Sequence, residues 1–127
     1  MANPSSITVT NCATNSAINQ PSTQAIDTDG TVPIAAGGEM FLLILEIINA
    51  AAVALTVTIK AGDNPPAATA ADLVLTFAAT GNAGAKQIVG PFESARFLQD
   101  DGSVNVAFLA ASSTPNATVR AYRLPKI

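Results

Sequence analysis

Val53-Ala54-Leu55-Thr56-Val57-Thr58-Ile59-Lys60 is the stretch that decides the fold. Val53, Leu55, Val57 and Ile59 share one face while Thr56, Thr58 and Lys60 occupy the other, the two-residue period of a half-buried strand. Leu73, Leu75 and Phe77 repeat the pattern opposite Asp72, Val74 and Thr76, and Val104, Val106 and Phe108 repeat it again. Near the C-terminus, Val119 and Ala121 alternate with Arg120, Tyr122 and Leu124. Four strands follow from alternation alone.

Glu39 to Asn49 is a different kind of segment, an apolar run that periodicity cannot assign to a central strand or a buried helix. Gly37 and Gly38 before it, and Asn49 with three alanines after it, favour a strand that turns by a hairpin or meander into the next one. The helical alternative rests on the helix-forming Ala50 to Ala52. Turn chemistry punctuates the rest at Asp27-Thr28-Asp29-Gly30, Gly62-Asp63-Asn64-Pro65-Pro66, Gly81-Asn82-Ala83-Gly84, Gly90-Pro91 and Asp100-Asp101-Gly102. Further strands are predicted at Thr31 to Ile34, Lys86 to Val89 and Ser94 to Leu98. Seven to nine short strands with such connections predict an all-β fold: an antiparallel β-sandwich, jelly-roll-like, or a small barrel.

Met1 to Ile26 contains no Asp, Glu, Lys or Arg and is dominated by Asn, Ser, Thr and Gln. The chain therefore divides into an extended polar N-terminal arm, residues 1–26, and a single β-rich domain, residues 27–127. The arm lacks both the apolar content of a private core and the charge that solvates a disordered tail. It is expected to lie on a surface, its own or a neighbour's, through Ile7, Val9, Cys12 and Ile18. Removing it is expected to spare the sandwich and weaken assembly.

Charged residues make up 12% of the 127-residue chain, against about 25% in ordinary soluble domains. The net charge of -3 is scattered, with no basic field for nucleic acid or an anionic membrane. The apolar run Met40 to Ile48 is too short to span a bilayer, and the N-terminus has no secretory pattern, so synthesis in a cytoplasm is expected. The single cysteine, Cys12, excludes an intrachain disulfide.

The residue types and spacings predict no catalytic, cofactor or metal site. Without histidine the usual general base and the commonest metal ligand are missing. Asp27-Thr28-Asp29-Gly30 opens like a calcium loop, but the required bidentate Glu would fall at Gly38. Gly81-Asn82-Ala83-Gly84-Ala85-Lys86 has the wrong glycine spacing for a phosphate cradle, and Gln87 stands where Ser or Thr is needed. Asp100 and Asp101 are adjacent turn residues, and Asn116-Ala117-Thr118 has no consequence as a glycan acceptor without secretion.

One resemblance is carried by the order Ala36-Gly37-Gly38, an apolar strand ending at Asn49, Thr56-Val57-Thr58-Ile59-Lys60-Ala61-Gly62, Gly90-Pro91-Phe92-Glu93, Arg96-Phe97, Asp101-Gly102-Ser103-Val104 and Ala121-Tyr122-Arg123-Leu124-Pro125. Over roughly Ala36 to Pro125 the chain resembles the head decoration, or cement, proteins of tailed bacteriophages. The resemblance implies a non-enzymatic β-rich virion protein, often trimeric, whose partner is the major capsid protein. Such proteins bind the outside of an expanded capsid and tie neighbouring subunits together. Two other classes stay open. One is a tail, neck or fibre module, or a glycan-binding sandwich, although no Trp and a single Tyr leave little stacking surface. The other is a hydrolase on a β scaffold, opposed by the missing histidine.

Overall fold

In a computed structural model the described residues are 3–35, 40–62, 72–92, 97, 99, 101–112 and 114–125. They form nine strands: β1 (Val9–Asn11), β2 (Gln24–Ile26), β3 (Gly30–Ile34), β4 (Leu43–Asn49), β5 (Leu55–Ile59), β6 (Leu73–Phe77), β7 (Lys86–Val89), β8 (Val104–Ala110) and β9 (Ala117–Arg123). The first sheet has the order β1-β9-β4-β7, with β2 also on β9, and the second has the order β3-β8-β5-β6. The pairs β3 with β8, β4 with β7 and β5 with β6 are antiparallel and nested in sequence. A long hairpin folded over on itself gives this nesting, which is the winding of a jelly roll. The fold is an all-β two-sheet sandwich, as the alternation predicts.

The inward residues of each strand make one core. Leu43, Leu45, Ile47, Val119 and Ala121 of the first sheet pack against Val57, Ile59, Val106, Phe108 and Phe77 of the second, all but fully buried. Each full burial of a large aliphatic or aromatic side chain is worth about 1.5–3 kcal/mol. Phe92 and Phe97 extend the core with an edge-to-face contact, ring centroids 5.9 Å apart. Gly90, at φ +117°, passes so close to β4 that a Cβ would lie 2.6 Å from the Leu43 carbonyl oxygen.

The apolar run resolves into a 3-10 turn at Met40–Leu42 followed by β4. The expected hairpin from β4 into the next strand is not formed. Both edges of β4 are taken, by β7 and β9, so the chain leaves the first sheet and enters the second as β5. Asn49 makes this corner. Its buried side-chain amide donates to Val53 O and Ala78 O, both at 2.9 Å, and its Oδ1 accepts from Ala51 N at 3.1 Å. The predicted strand at Ser94 to Leu98 lies outside the described residues, Phe97 excepted.

The N-terminal segment pairs with the rest of the chain along two stretches. Ile7 is fully buried in the common core and bridges Ile34 of β3, with Ile7 N donating to Pro33 O at 2.9 Å. β1 then runs parallel to β9 at Ala121 to Arg123, and β2 returns antiparallel on the same edge at Val119 to Ala117. Both sheets would otherwise present open edges on this flank, and unpaired strand edges are costly to leave exposed. The segment covers the β9 edge with β1 and β2 and meets the β3 edge at the single Ile7 to Ile34 bridge.

Candidate interaction surface

A strand whose two faces are both apolar is suited to burial on both sides. β4 reads Leu-Ile-Leu-Glu-Ile-Ile-Asn, with Leu43, Leu45, Ile47 and Asn49 pointing inward and buried. Ile44, Glu46 and Ile48 therefore point outward and are half-buried. Tyr122 and Arg120 of β9 stand in register beside Ile44 and Glu46. On the other side, Ile88 and Lys86 of β7 stand beside Glu46 and Ile48. Ile88 is 72% exposed, and Leu124, next outward residue along the β9 strand direction, is also exposed.

Glu46 and Arg120 in this face are paired with each other, and Lys86 adds an exposed positive charge at its rim. Arg120 Nη1 lies 2.7 Å from Glu46 Oε1, and Arg120 Nε donates to Pro21 O at 3.0 Å. Both side chains are mostly buried, so the pair is neutralised and partly desolvated. What the face offers a partner is chiefly aliphatic surface.

The outward face of the second sheet mixes threonines with apolar side chains. Thr56 and Thr58 of β5 stand between Thr76 and Val74 of β6 and Leu109 and Ala107 of β8. Val74 and Leu109 are exposed. At one end Lys60 Nζ lies 3.6 Å from Asp72, and Asp72 accepts Ala61 N at 2.7 Å. Such an exposed pair contributes little.

The four residues expected to make an interface do not come together. Ile7 is in the core, Val9 packs against the core, Cys12 is a half-buried free thiol, and Ile18 alone is exposed. Ile7 is fully buried against its own chain, bridged to Ile34 of β3. Reading β4 as apolar on both faces would have pointed to the Ile44 and Ile48 surface instead. Lys60 and Arg120 find acids within the chain, whereas Arg96 lies outside the described residues.

The turn motifs serve the backbone. Asn3 Oδ1 accepts from Asp27 N at 2.8 Å and Thr28 N at 3.0 Å, and Asp29 Oδ1 accepts from Ala110 N at 3.1 Å. Asp101 Oδ1 accepts from Ser103 Oγ at 2.6 Å and Ser103 N at 3.0 Å, which holds its carboxyl below the usual pKa. Asp100 lies outside the described residues. Among the described residues no group of three or more His, Cys, Asp or Glu could hold a metal ion, and no helix is long and apolar enough to cross a membrane. A cleft of about 300 Å³ is lined by Thr8, Thr10, Ser22, Thr23, Gln24 and Arg120, the last already engaged by Glu46 and Pro21. Comparison of the chain with protein-family models, with curated proteins and with solved structures gave no match.

Proposed function

We propose that the protein is a non-enzymatic structural component of a tailed-phage virion, made in the host cytoplasm and docked as a homotrimer on the outer surface of the capsid. There it bridges neighbouring capsid subunits and stabilises the shell without a cofactor. The observation that carries this reading is the outward aliphatic face of β4, β7 and β9, with Ile88 at 72% exposure around a neutralised ion pair. A face of this kind gains free energy when a second protein covers it. The low charge of the chain and the resemblance over Ala36 to Pro125 point to the capsid as that protein. Three copies held together multiply modest contacts through effective concentration.

The test adds purified protein to expanded shells that lack it and scores occupancy and the temperature of shell rupture. Saturable binding with a raised rupture temperature is the expected result. Protein that ignores heads but binds tails or forms filaments would transfer the same face to a tail, neck or fibre module.

A further inference from the structure

We infer that residues 3–11 form an exchangeable strand, seated in the structure on their own chain and able to occupy the identical seat on a second copy. The inference concerns contact between copies of this chain and does not depend on the capsid reading.

The seat is separate from the connection that leads to it. It consists of the β9 edge at Ala121 to Arg123, Pro33 and Ile34 of β3, and the turn at Asp27 and Thr28. Ile7 fills its apolar part and Asn3 its polar end, donating to Thr28 O at 2.9 Å as well as accepting from the turn. Every one of these contacts has the same partners whether the strand comes from the same chain or another. Exchange therefore leaves the gross contact energy nearly unchanged, and association into a closed symmetric ring decides the balance.

The connection has slack. Residues 12–23 leave the body where Cys12 N donates to Arg123 O and return where Gln24 stands opposite Val119. The direct path covers four residues of β9, about 13 Å at about 3.3 Å per residue. Once Pro21 O is released from Arg120 Nε, the twelve residues can span about 40 Å when extended. A domain of this length has a radius of gyration of about 14 Å, hence a diameter of about 35 Å, so the connection reaches the next copy in contact. Residues 13–20 are exposed throughout, which leaves them free of the core, and residues 1–26 carry no charged side chain to oppose entry into a neighbour.

The seat also joins two parts of the N-terminal segment in a way that exchange would exploit. The Gln24 side chain accepts from Thr8 N at 3.2 Å and donates to Thr8 O at 3.4 Å, taking the place of a strand partner. In the exchanged form this amide links two chains, and no copy leaves the ring without withdrawing a strand from a neighbour.

The test uses the wild-type chain. Equal amounts of 13C-labelled and unlabelled protein are unfolded together, refolded at high concentration and examined for isotope-filtered contacts between Ile7 and Ile34. A homo-oligomer by light scattering with an intermolecular Ile7 to Ile34 signal is the expected result. A monomer at every concentration, or an oligomer in which that contact is intramolecular only, would overturn the inference. The same question is put without refolding by co-expressing Thr10→Cys and Tyr122→Cys chains, each in a Cys12→Ser background, and oxidising them after purification. Thr10 and Tyr122 are register partners, so exchange yields a covalent heterodimer. A yield no higher than that of a Thr10→Cys and Leu109→Cys pair would count against it.

Discussion

Glu46 and Arg120 stand in register across β4 and β9 and hold a 2.7 Å ion pair on the outer face of the first sheet. Arg120 also grips the Pro21 carbonyl, so this one guanidinium ties the returning N-terminal segment to the sheet. Breaking a partly buried pair leaves one charge uncompensated, whereas removing both partners together removes the desolvation cost as well. Arg120→Leu is expected to cost about 1–3 kcal/mol. The double variant Glu46→Leu with Arg120→Leu is expected to lose less than the single one, as read by a denaturant double-mutant cycle.

Asn49 gives the second expectation. Its buried amide makes three bonds to the corner that carries the chain between sheets. Asn49→Ala leaves two carbonyls and an amide without that partner, at a cost of about 2–4 kcal/mol. A urea midpoint within a few tenths of a kcal/mol of the wild type would show that the corner holds without it.

Ile7 gives the third. As a fully buried core residue it should lose about 2–5 kcal/mol on conversion to Ala. Deleting residues 1–11 should likewise destabilise the sandwich and speed amide exchange along β9 and β3. An unchanged melting temperature would restore the view of a dispensable arm.

Asp101 supplies a pH dependence. Its carboxyl is held below the ordinary value of 3.8, first by the Ser103 hydroxyl and then by the Ser103 amide. Folding therefore favours the ionised form. The associated stability is fully present above the unfolded value and is lost as pH falls through the depressed folded one. Ser103→Ala should raise the Asp101 titration midpoint toward 3.8 in a carboxyl NMR titration.

How much of this was legible in the chain depended on the range of the forces involved. Alternation at Leu55, Val57 and Ile59 is local, and β5 follows it. Lys86 to Val89 is bounded by turns and forms β7 over those residues. The path after Asn49 was not legible, because it depends on β7 and β9 having occupied both edges of β4 from distant parts of the sequence. The burial of Ile7 was not legible for a similar reason. A single isoleucine among polar residues carries no period, and its burial follows from a parallel bridge to Ile34 that no local pattern announces. The apolar outward face was readable in principle, from Ile44 and Ile48 alternating with Leu43, Leu45 and Ile47.

Docking of the Ile88 face on the shell is checked by the occupancy of the Ile88→Glu variant on expanded capsids. Leu109→Glu, on the outward face of the other sheet, is the companion variant, and circular dichroism verifies that both remain β-rich. A buried charge costing about 1.4 kcal/mol or more reduces affinity at least tenfold. At least that loss of occupancy is expected for Ile88→Glu, with wild-type occupancy for Leu109→Glu. Wild-type occupancy with Ile88→Glu would contradict docking through that face.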